Sequence, residues 1–62
     1  MAGPDTSAVE RRCWKIYEQA DAAWRRSPDE SAAEYEAMAL MVQAANAGLL
    51  ARLVQVEERR RR

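Results

Sequence analysis

Apolar residues recur at helical spacing along this chain and nowhere alternate as a strand requires. At about 100° per residue, Val9, Cys13, Ile16, Tyr17, Ala20, Ala23 and Trp24 fall within an arc of about 120°. That arc is the apolar face of a first helix over about residues 8–26. Ser7-Ala8-Val9-Glu10 fits a capping box, with Ser7 accepting from the Glu10 amide and the Glu10 carboxylate reaching back to the cap. Residues 1–7, which include Gly3, Pro4 and Asp5, read as a flexible lead-in. Pro28 disfavours helical geometry at Ser27, so the first helix ends at Arg26 or just before it.

Ser27-Pro28-Asp29-Glu30 reads as a second capping box, starting a second helix at Pro28 that runs to about Arg59. Along it Tyr35, Met38, Val42, Ala45, Leu49 and Val56 recur at steps of three and four, with Arg52 in the remaining slot. This is the pattern of a coiled-coil seam over about three heptads. The seam keeps its phase across Gly48, so a continuous helix is expected, with Gly48 costing ~1 kcal/mol relative to Ala. The alternative is a C-cap at Asn46-Ala47-Gly48, which would divide the segment and give a three-helix bundle. The expected fold is all-α: one helical-hairpin domain over 8–62, assembling into a bundle as an oligomer.

Composition explains why assembly is expected. The chain has 62 residues, and 13 of its 30 apolar residues are Ala. Setting aside Met1 and Cys13, 15 large apolar side chains remain to build a core. Chains below ~70–80 residues rarely gain more than ~3–5 kcal/mol from one core. A single Cys and no His leave neither a disulfide nor a His-containing metal site to compensate. Leu40, Ala47, Leu50 and Val54 form a further apolar row more than about 90° from the seam, making residues 49–56 apolar around much of the helix. An antiparallel hairpin turning at Ser27 would place Ala8 opposite Asn46 or Ala47, so that Leu49, Leu50, Leu53, Val54 and Val56 overhang the first helix. Those five are the expected oligomer or partner interface, with a homodimer favoured and a larger protein partner as a variant. Trp14, about 120° from the centre of the first helix's stripe, is expected to anchor a partner as well.

Charge adds one alternative. Ten basic and ten acidic residues balance, and the most conspicuous pattern is the Glu57-Glu58-Arg59-Arg60-Arg61-Arg62 end. Arg59, Arg60, Arg61 and Arg62 could contact phosphates, which makes a small nucleic-acid-associated regulator the second functional reading. The same residues suit a solvated helix C-terminus, where Glu57–Arg61 and Glu58–Arg62 form i,i+4 pairs. Asp29, Glu30, Glu34 and Glu36 are explained by the positive end of a helix dipole. Cys13 lacks a base and is expected as a small buried hydrophobe. No catalytic, cofactor-binding or metal residues are assigned. Residues 1–5 carry no secretory pattern, and the uncharged run from Ala37 to Ala51 falls short of the ~20 residues a membrane span needs. A cytoplasmic protein without a membrane partner is expected, and nine Arg against one Lys with abundant Ala suggests a bacterium or its phage.

Overall fold

A computed structural model describes residues 5–61. The chain forms two helices, α1 (Thr6–Arg26) and α2 (Ala32–Arg60), packed along each other as an antiparallel hairpin of 48 × 16 × 14 Å. The helix α2 runs unbroken through Gly48, as the seam phase implied, and the three-helix alternative does not occur.

Both helix starts differ from the expected caps. The N-cap of α1 is Asp5: one carboxylate oxygen accepts from the Ser7 amide at 3.1 Å, the Ala8 amide at 3.2 Å and the Ser7 hydroxyl at 2.8 Å. A carboxylate satisfies two orphan amides and also meets the positive end of the helix dipole, which a Ser hydroxyl cannot do. The lead-in assigned to residues 1–7 is therefore ordered from Asp5, and residues 1–4 lie outside the described residues. With the cap supplied by Asp5, the Glu10 side chain is free to face α2.

Pro28 does end α1 at Arg26, holding Ser27 extended at φ −81 and ψ 143. It does not begin α2. Glu30 takes a left-handed conformation at φ 58, which reverses the chain, and Ser31 is the N-cap. Ser31 Oγ accepts from the Glu34 amide at 3.1 Å, while Glu34 Oε1 accepts from the Glu30 amide at 3.3 Å. Two Ser-x-x-Glu patterns stand in tandem here, and only the second leaves room for a turn between antiparallel helices.

The packed face of α2 is not the row of large residues. It is Ala37, Ala44, Gly48 and Ala51, all buried, with Met41 and Gln55 half-buried between and beyond them. These positions also step by four and three. The facing side of α1 is Glu10, Cys13 and Ala20, with Thr6 and Tyr17 half-buried. Cys13 is thus a small buried residue, as expected. Tyr35, Met38, Val42, Leu49 and Val56 are exposed, as are Val9 and Ile16 of the expected α1 stripe. Small residues win this contact because they let two backbones approach, and because the row that carries them brings Gln55 to Glu10.

The overhang is also corrected. The Thr6 carbonyl accepts from Gln55 Nε2 at 3.4 Å and the Thr6 hydroxyl donates to Glu58 at 3.5 Å, so α1 begins beside the last turns of α2. The turn over 27–31 consumes residues that a hairpin folded sharply at Ser27 would have paired. Leu49, Leu50, Leu53, Val54 and Val56 are exposed for a different reason: they project from faces of α2 turned away from α1.

Candidate functional site

The described hairpin buries five apolar residues, Cys13, Ala20, Ala37, Ala44 and Ala51, and none of its large side chains is fully buried. Twelve large apolar residues stay exposed, nine of them on α2. They are continuous enough to form two concave surfaces. Along one edge of the hairpin Tyr17, Trp24, Met38, Met41, Val42 and Ala45 line an apolar groove of about 340 Å³. Toward the C-terminal end Leu50, Leu53, Val54, Glu57, Glu58 and Arg61 line a second one of about 470 Å³. The five residues expected at an interface therefore divide between faces: Leu50, Leu53 and Val54 line the second groove, while Leu49 and Val56 continue the row of Val42.

Trp14 belongs first to the hairpin itself. Its indole lies across Gly48 so closely that a Cβ there would come within 2.8 Å of the ring. The indole N–H donates to Glu10 Oε2 at 2.7 Å, and the ring meets Tyr17 edge-on at 6.2 Å. Its position off the apolar stripe thus gives it an intramolecular seat, where it is half-buried.

Glu10 is the electrostatic centre of the helix contact. Besides Trp14 it accepts from Gln55 Nε2 at 2.8 Å through Oε1, and Arg52 Nε lies 3.3 Å from Oε2. The hydrogen bonds from Trp14 and Gln55, followed by Arg52, hold its carboxyl below the ordinary value of 4.5. It stays ionised at neutral pH and is an acceptor that fixes helix register. The Ser7 hydroxyl and then the Ala8 amide likewise hold Asp5 below its ordinary 3.8. Groups with a lowered folded pKa contribute stability above the unfolded value and lose it as pH falls through the folded one. The hairpin is therefore expected to weaken progressively below about pH 4.5, and Glu10→Gln to flatten that slope in pH-dependent urea melts. An unchanged slope in Glu10→Gln would remove Glu10 from the acid transition. The spacing of Glu10 from Ser7 implies a cap, and Gln55 belongs to no motif; its signal in the sequence is its place closing the Ala37, Ala44, Gly48, Ala51 row.

The arginine end is partly neutralised by its own neighbours. Arg60 pairs with Glu57 at 3.4 Å, at i,i+3 rather than the expected i,i+4, and Glu58 accepts from Thr6. Arg59 and Arg60 form the last turn of α2 and Arg61 caps it, while Arg62 lies outside the described residues. Among the described residues no three acidic or thiol groups gather as metal ligands would. By length and composition α2 could cross a membrane, with a mean hydropathy of 1.5 over 18 residues, because the helix extends beyond the uncharged run and tolerates Arg52. In the hairpin a charged α1 lies along it. Comparison with protein families, curated proteins and solved structures finds no significant match to this chain.

Proposed function

We propose that this protein is a small, non-catalytic, oligomerising helical module, acting in the cytoplasm by completing a bundle with itself or as an accessory subunit of a larger protein. One observation carries the reading. Nine large apolar side chains of α2 are exposed, while the residues it buries against α1 are Ala37, Ala44, Gly48 and Ala51. Burying a large aliphatic or aromatic side chain fully is worth ~1.5–3 kcal/mol, and a lone hairpin forfeits about half of that at twelve positions. A patch of this extent on a small chain marks an association surface. Closed two-fold dimers are the commonest homo-oligomers, so a homodimer is the simplest form. Light scattering coupled to chromatography at micromolar concentration is expected to give at least twice the 7.1 kDa chain mass. The melting midpoint is expected to rise with concentration. A 7.1 kDa monomer with a concentration-independent, cooperative melt rejects self-association.

The exposed arginines at the end of α2 support the second reading, a nucleic-acid-associated regulator. Under it, DNA affinity falls steeply with salt, and deleting Arg59 to Arg62 flattens that dependence. Absence of binding at low salt, where the electrostatic contribution is greatest, removes this reading. The carboxylates of Glu57 and Glu58 within the same turns favour the first.

A further inference from the structure

Two heptad rows run side by side on α2, and only one is occupied. The small row, from Ala37 to Gln55, holds α1. The large row, Tyr35, Met38, Val42, Ala45, Leu49, Arg52 and Val56, lies about 100° further round the helix and spans ~32 Å. All of it is exposed except Ala45, which lies half-buried in the Tyr17–Trp24 groove. Building on the self-association reading, we propose that this large row pairs with the same row of a second copy in antiparallel orientation, about a two-fold axis at Ala45.

Charge chooses the occupant and its direction. Between Arg26 and Arg52 the chain has no basic residue, and Asp29, Glu30, Glu34 and Glu36 gather at the start of α2. Its other end carries Arg59, Arg60 and Arg61 beside Glu57 and Glu58, three basic residues against two acidic, so this end is the more positive of the two. A parallel pair would set acid against acid and arginine against arginine, and would face Arg52 with its own copy inside the seam. An antiparallel pair sets each basic end on the other's acidic end and opposes the helix dipoles. The row supports this direction sterically. Its midpoint falls between residues 45 and 46, so Tyr35 meets Val56 of the second copy, Val42 meets Leu49, and Ala45 meets its own copy. Arg52 then lies beside Met38, its aliphatic stem on the thioether and its head group held by its own Glu10. The small pair at the axis lets the backbones close, while the large residues pair on either side of it.

Single-cysteine proteins in a Cys13→Ser background read the arrangement directly. Ala45→Cys is expected to form an inter-chain disulfide at least about tenfold faster than Met38→Cys or Leu50→Cys, because a disulfide needs Cβ atoms ~4 Å apart. Met38 lies about 22 Å from its own copy in this dimer, from fifteen residue rises of ~1.5 Å. On unmodified protein, mixing labelled and unlabelled copies is expected to give Val42–Leu49 methyl cross-peaks between chains; within one chain these residues are two helical turns apart. Met38→Cys linking as fast as Ala45→Cys overturns the antiparallel direction. Leu50→Cys linking while Ala45→Cys does not moves the dimer to the opposite flank and overturns this face, leaving self-association intact. Absence of any inter-chain cross-peak in a protein that sediments as a dimer also overturns it. A monomeric wild-type protein overturns both the arrangement and the reading beneath it.

Discussion

Leu49→Glu is expected to convert the protein into a largely unfolded monomer. In a two-fold dimer one substitution acts twice, removing two leucines worth up to ~1.5–3 kcal/mol each when fully buried and leaving two carboxylates in an apolar seam. The two leucines alone amount to a loss of about 10²- to 10⁴-fold in dimer affinity. Helicity is expected to fall with it, because the separated hairpin fully buries only small residues between its helices and is held besides by half-buried Trp14, Tyr17 and Met41 and the Glu10 network. Val54→Glu, on the other flank of α2, is expected to change mass and helicity far less. Sedimentation and far-UV circular dichroism at matched concentrations check both. Wild-type mass for Leu49→Glu would show that the association surface lies elsewhere.

Gly48→Ala is expected to destabilise the protein although it places the better helix former in the middle of a long helix. At an exposed position the exchange would gain ~1 kcal/mol. Here the new methyl would meet Trp14 at 2.8 and 2.9 Å, and the ring cannot simply swing away while its N–H is held by Glu10 at 2.7 Å. Overpacking of this kind costs ~1–3 kcal/mol. Trp14→Ala is expected to cost about 2–3 kcal/mol, below the ~3–5 kcal/mol of a fully buried Trp because the indole is half-exposed. The decisive comparison is the double variant. In a Trp14→Ala background the steric conflict is gone, so Gly48→Ala should become stabilising by up to ~1 kcal/mol. Urea melts at one fixed protein concentration measure all four corners, and the coupling between the two sites equals the steric cost, about 1–3 kcal/mol. Gly48→Ala stabilising in both backgrounds would mean that the indole does not rest on Gly48.

What depends on neighbours along the chain is legible in the residues alone. Helical periodicity implied two helices and no strand, Pro28 placed the end of α1 at Arg26, and the unbroken heptad phase carried α2 through Gly48. Local chemistry was legible but ambiguous where patterns repeat: Asp5 competes with Ser7, and Ser31 with Ser27, for caps that either side chain could form. The packing of the two helices selects between them, since a cap is chosen together with the turn that lets α2 return along α1. It also decides which of two heptad rows on α2 meets α1. Periodicity counts apolar positions and favours the large row, yet two helices approach most closely through alanine and glycine. The large row then faces outward, with Trp14 seated over Gly48, where α2 has no side chain. Glu10 shows the same division. Its spacing from Ser7 suited a cap, but its role is set by Gln55, 45 residues away in sequence and 2.8 Å away in space. No local pattern encodes that contact, because it exists only when both helices are already in register.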